Sequence, residues 1–113
     1  MKYILAFLLI CISTMVYTQE IQGEGIEVVE FNAPFSPTKC EFLEALEDCE
    51  TLRIDIFANT AAQKEHKIVV VPSVVVFNDG VEVARFQANI MMVLEVTQEE
   101  IQDAISEAIM NGF

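Results

Sequence analysis

The sequence predicts a single α/β domain with a mixed four-stranded central sheet, its elements running β-α-β-α-β-β-α. Three observations carry that prediction. Short apolar or alternating runs of strand length are separated by stretches with helical spacing, the pattern of parallel neighbours joined by crossovers. The turn signal Asn78-Asp79-Gly80 divides two later runs and makes them an antiparallel hairpin. The chain then closes on an amphipathic helix opened by a capping box. With 113 residues there is room for one such domain.

Residues 1–18 read as a secretory signal peptide. Lys2 supplies the basic start, residues 3–12 an apolar stretch, and Val16-Tyr17-Thr18 the residues before a cut. The apolar span of about 15 residues is shorter than the roughly 20 that a membrane-spanning helix needs. Membrane contact is expected only through this segment, if it is retained. Residues 19–25 (QEIQGEG) are polar with two glycines and read as a tether, leaving 26–113 as the domain. The expected location is secreted, periplasmic or otherwise in the cell envelope.

Residues 26–31 (IEVVEF) form a short, mostly apolar run suited to a buried strand. A helix is expected over residues 36–48, with Ser36 as cap and Pro37 in its first turn. Phe42, Ala45, Leu46 and Cys49 fall at the i, i+3, i+4, i+7 spacing of one buried face. Residues 51–57 (TLRIDIF), from Thr51 to Phe57, alternate as a second strand, with Leu52, Ile54 and Ile56 opposite Arg53 and Asp55. Residues 59–66 read as a short helix capped by Asn59. Residues 69–77 are interrupted by Pro72, which cannot donate to a ladder and so belongs at the beginning of a strand. After the hairpin turn, residues 81–86 return. In the last helix Thr97 is the cap, Glu100 completes the capping box, and Ile101, Ala104, Ile105, Ala108 and Ile109 mark its apolar face.

Net charge is −12, from 18 acidic and 6 basic residues. That excludes ordinary nucleic-acid binding, which needs a basic footprint. Beyond the first 18 residues two cysteines remain, Cys40 and Cys49. If both lie on one helix, nine residues separate them by roughly 13 Å along its axis, too far for a disulfide. His66 is the single histidine, with no partner at ligand spacing, so no metal and no cofactor is expected. Ser36-Pro37-Thr38-Lys39 matches S-x-x-K, but the companion motifs of acyl-serine enzymes are missing.

The element order resembles the thioredoxin family, and so do several local patterns. VEFNAPF is similar to the strand leading into the family's active site. LRIDIFANTAAQKEHKI is similar to its next parallel strand and helix, and VPSVVVFNDGVEVARF to its cis-proline segment, hairpin and return strand. The resemblance spans about residues 26–111 and implies a thioredoxin-like fold. It places Pro72 on the family's cis-proline, after Val71, and Ser36 and Lys39 on the two cysteines of C-x-x-C. Both exchange thiols are then absent, and a serine hydroxyl cannot replace a thiolate attacking sulfur. Asn32 and Phe35 replace flanking tryptophans, and Ala88 replaces a glycine that admits a substrate backbone. Glu30 falls on the family's buried carboxylate and Arg53 on the lysine beside it, which here implies a structural ion pair.

The expected function is therefore a protein-binding or scaffolding module without the redox dithiol. Phe35, Ser36, Pro37, Lys39, Val71, Pro72 and Ala88 would form its surface. A second expectation is thiol–disulfide exchange through Cys40 alone, its pKa lowered at a helix N-terminus beside Lys39. A third is a structural subunit of a larger assembly. The family's first strand and helix have no counterpart in residues 19–25, so residues 51–57 become an open edge for a partner protein or a second copy.

Overall fold

A computed structural model describes residues 20–111; the expected signal segment, and Gln19 of the tether, lie outside the described residues. Strands β1 (Ile26–Asn32), β2 (Glu50–Asp55), β3 (Ser73–Asn78) and β4 (Val81–Gln87) form one sheet in the order β2-β1-β3-β4. β1 pairs in parallel with β2, while β1–β3 and β3–β4 are antiparallel. Among the described residues there are two α-helices, α1 (Thr60–Glu65) and α2 (Gln98–Asn111). No helix among the described residues is long and apolar enough to cross a membrane.

Alternation along β1 divides the core between two faces. Val29 and Phe31 face one way, with Ile54, Ile56, Val75, Phe77 and Ala62 of α1. Val28 faces the other, with Val74, Val76, Cys40, Leu43 and Ile101 and Ile105 of α2. Asn59 caps α1 by accepting from the Ala62 N–H at 3.0 Å. Thr97 accepts from the Glu100 N–H at 3.2 Å and so caps α2. Of the expected apolar face of α2, Ile101, Ile105 and Ala108 are buried, Ala104 is half-buried, and Ile109 sits at the exposed margin. Asp79 and Gly80 both have positive φ, 50° and 83°, the geometry of a two-residue turn that follows strand twist. The Val71–Pro72 peptide is cis.

The helix expected over residues 36–48 does not form. One turn of 3₁₀-helix, Leu43–Ala45, is the only helical part. The reason lies in who takes the backbone groups. The Cys40 N–H donates to Glu30 Oε2 at 2.6 Å, and the Cys40 carbonyl accepts from Arg53 Nη2 at 2.8 Å. The Thr38 carbonyl accepts from Asn32 Nδ2 and from the Ser36 hydroxyl. Gln102 of α2 brackets Glu47, accepting from its N–H and donating to its carbonyl, both at 2.9 Å. Side chains elsewhere thus satisfy groups that a helix would have paired internally. Glu44, Glu47 and Asp48 would also have crowded the negative end of that helix. The buried set changes accordingly: Cys40, Leu43 and Leu46 are buried, Phe42 and Cys49 are half-buried, and Ala45 is exposed. Their three-residue spacing is that of a 3₁₀-like path.

Residues 20–25 are tied to the domain by hydrogen bonds. The Gln22 and Gly23 N–H groups donate to the buried Glu27 carboxylate at 2.7 and 2.8 Å. Gly25 N–H donates to Asp79 Oδ1 at 2.7 Å, and its carbonyl accepts from Asp79 N–H at 2.9 Å. Ile21 packs on the core. This stretch is a docked strap.

Candidate functional site

The site is built at the C-terminal end of β1. Asn32 ends the strand and its side-chain carbonyl accepts from the Ala33 N–H at 2.8 Å. A tight turn follows, closed by Ser36 N–H to Ala33 O at 3.0 Å. That turn carries Pro34 and Phe35 outward. Phe35 is 56% exposed, and its ring meets that of Phe57, 62% exposed, with centroids 5.2 Å apart. Aromatic pairs of this kind ordinarily sit under cover; here both rings face water.

On the other side of the turn lies the loop between β4 and α2. Thr38 donates from its hydroxyl to the Met92 carbonyl at 2.6 Å, fastening the two segments. The loop is self-braced, since Asn89 Oδ1 accepts from Met91 N–H and Val93 N–H at 2.8 and 3.2 Å. It holds Ile90 at 96% exposure, with Met91 and Val93 also exposed. An open groove of about 600 Å³ runs between the segments, lined by Asn32, Ser36, Pro37, Lys39, Phe42 and Val93 among others.

The expected surface is only partly assembled. Phe35, Pro37 and Lys39 are exposed and Ser36 is half-buried, but Val71, Pro72 and Ala88 are buried. Ala88 N–H donates to the Pro72 carbonyl at 3.0 Å, so that carbonyl already has a partner. The Asn89–Val93 loop and Phe57, which the sequence reading left out, supply exposed apolar surface instead. Asn89, an Asx-turn former beside an Ile-Met-Met run, was the available signal for the loop.

Beneath the turn, β1 and β2 align Glu30 with Arg53 in register. Glu30, 1% exposed, pairs with Arg53 Nη1. Arg53 also donates from Nε and Nη2 to the exposed Glu44 at 3.0 and 2.9 Å. Burial pushes the Glu30 carboxyl above the usual carboxylate range, against the pull of the Cys40 N–H, Arg53 and Asn32. The Arg53 hydrogen bond holds the Glu44 carboxyl below that range.

Cys40 does not have the lowered pKa expected at a helix N-terminus. No helix begins there, the residue is 2% exposed, and burial together with the Glu30 charge pushes its thiol up to about 11. A buried thiol raised in this way is mostly protonated at neutral pH. Cys49 is also free, half-buried, and raised by burial and by Asp48 and Glu50. His66 lies between the rings of Phe31 and Phe77, with centroids 5.3 and 5.2 Å away. Among the described residues no group of three or more His, Cys, Asp or Glu side chains is placed to hold a metal ion.

No protein-family model matches the chain, and no curated protein matches it. Solved structures do. A single-residue mutant of thioredoxin from Halobacterium salinarum superposes with a TM-score of 0.57 at 22% identity, covering 74% of each chain. Fasciola hepatica thioredoxin gives a TM-score of 0.54 at 19% identity, covering 76% of this chain and 84% of that one. The fold is that of thioredoxin. A malarial thioredoxin-2, described as a component of the parasite's protein secretion machinery, gives 0.56 at 14% identity over 74% of this chain and 82% of its own. At such identities the likeness is one of fold. Within the thioredoxin fold this chain departs at the segment after β1, where a pinned irregular path and one 3₁₀ turn stand in place of the expected helix.

Proposed function

We propose that this chain is an exported protein-binding module, in which the thioredoxin fold presents an apolar docking face in place of a dithiol. The observation that carries the reading is the exposed Phe35–Phe57 pair, on a turn whose following segment is fastened through Thr38 to the loop that exposes Ile90 and Met91. Isolated exposed apolar side chains are ordinary, whereas a pair of aromatic rings in contact and both facing water supports a contact surface. The high thiol pKa and burial of Cys40, with Ser36 and Lys39 at the positions that the resemblance gives to the exchange thiols, support a redox-inactive reading. The apolar N-terminal segment supports export to the cell envelope or beyond.

Two measurements test it. A photo-crosslinker placed at Phe35 should capture a discrete partner from the envelope fraction, and Phe57→Ser should abolish capture while leaving the circular dichroism unchanged. Insulin reduction should stay at background. Cys40-dependent turnover, lost in Cys40→Ser, would overturn the redox-inactive reading.

A further inference from the structure

Among the described residues the outer edge of β2 is open, and the charges expected to guard it are otherwise engaged. Ile56 N–H donates to the Asn32 carbonyl at 2.9 Å, which sets the phase of the parallel ladder. Leu52 and Ile54 then turn their backbone groups toward β1, while Thr51 and Arg53 turn N–H and C=O outward. Asp55 turns its N–H outward, its carbonyl accepting from Asn59 N–H at 2.9 Å. No strand pairs with this side among the described residues.

Natural edges are protected by projecting charges or bulges. Arg53 projects no free charge, because Glu30, Glu44 and the Cys40 carbonyl occupy its guanidinium. Asp55 is folded back, with Oδ1 accepting from the Phe57 N–H at 2.8 Å. The opposite edge, β4, is different: its pairing with β3 shifts register between Val76 and Phe77, the irregularity that spoils further pairing.

The occupant follows from charge and shape. Glu47, Asp48, Glu50 and Asp55 are exposed along or just before β2, and Lys39 is the exposed cation near them. A second copy would bring together two chains each carrying −12. A hollow of about 350 Å³ adjoins the edge; Ala33, Pro34 and Ile54 give it an apolar part that admits an apolar side chain. Lys39, Arg53 and Asp55 at its rim leave the basic side chains of an incoming segment to the acidic residues before and along β2. We propose that the outer edge of β2 takes an extended, lysine- or arginine-rich segment of another protein as a fifth strand, with alternate apolar side chains entering that hollow. This rests on the protein-binding reading but uses a separate surface, next to the Phe35–Phe57 face.

The test is backbone amide exchange, followed by NMR on the purified chain, with an acetylated heptapeptide of alternating Lys and Val as probe. A Glu–Val peptide is its control. The basic peptide should slow exchange at Thr51, Arg53 and Asp55 and the acidic one should not. Thr51→Pro removes an outward N–H and no ladder bond, so it should abolish binding without moving the thermal midpoint. Glu50→Lys should weaken binding by about threefold, the scale of an exposed ion pair. Protection at the edge that grows with protein concentration in the absence of peptide would overturn the proposal in favour of a second copy. A peptide response confined to residues 35–39 would overturn it and leave the docking-face reading standing. No response at either place would overturn it too, while the Phe35 crosslink judges the other surface independently.

Discussion

Replacing Arg53 with methionine removes the guanidinium that ties Glu30, Glu44 and the Cys40 carbonyl together, and keeps much of its apolar stem. Glu30 is 1% exposed, and without Arg53 its carboxylate retains only the Cys40 N–H at 2.6 Å and Asn32 Nδ2 at 3.4 Å. A buried charge stripped of its partner costs about 3–5 kcal/mol. A domain of this size has about 5–15 kcal/mol of stability in total, so the variant should be close to the edge of folding at pH 7. The exposed Glu44 contact adds little to that loss. The pH dependence has a definite sign. Burial already holds the Glu30 carboxyl above its ordinary range, and loss of Arg53 raises it further. A carboxyl raised in the folded state stabilises the fold below its unfolded pKa, and that contribution disappears as pH rises through the folded pKa. The variant should therefore lie nearest the wild type at about pH 4, close to the unfolded carboxyl value, and fall away from it toward neutrality. Urea denaturation across that range measures the difference. Glu30→Gln combined with Arg53→Met leaves no buried charge and should recover more than half of the loss at pH 7. A single variant within about 1 kcal/mol of wild type, or a loss that does not change with pH, would refute the claim that Arg53 compensates a buried carboxylate.

Three further outcomes are expected. Ellman's reagent at pH 8 should leave Cys40 unmodified in the folded protein and label it promptly in guanidinium, because the thiol is 2% exposed with a pKa of about 11; Cys49→Ser assigns the signal. Glu27→Ala removes the acceptor for two strap amides, and fast exchange at Gln22 and Gly23 should follow while the core amides stay protected. Thr97→Ala removes the α2 cap and should cost about 1 kcal/mol in thermal or urea unfolding.

The strands, α1 and α2 were legible because their signals are local. Alternation in residues 51–57, the Asp79-Gly80 turn, the Asn59 cap and the Thr97–Glu100 box each express a preference that neighbouring residues reinforce. The mixed four-stranded sheet followed, since a crossover gives a parallel pair and a tight turn an antiparallel one. The segment after β1 departs from its helical spacing because that local preference is outvoted from a distance. Glu30, Arg53, Asn32 and Gln102 lie on other elements, and nothing within residues 36–48 announces that they will claim its backbone.

The site divides in the same way. By itself the sequence determined that serine and lysine, not cysteine, stand at the positions the resemblance assigns to an exchange dithiol, and that the chain carries a strong negative charge. Only the tertiary structure decided which side chains face water. It buried Cys40 beside a carboxylate, covered Val71, Pro72 and Ala88, and brought Phe57 to Phe35 and the Met92 carbonyl to Thr38. Thiol acidity and surface exposure depend on what long-range packing places around a residue, and a one-dimensional pattern does not contain that information.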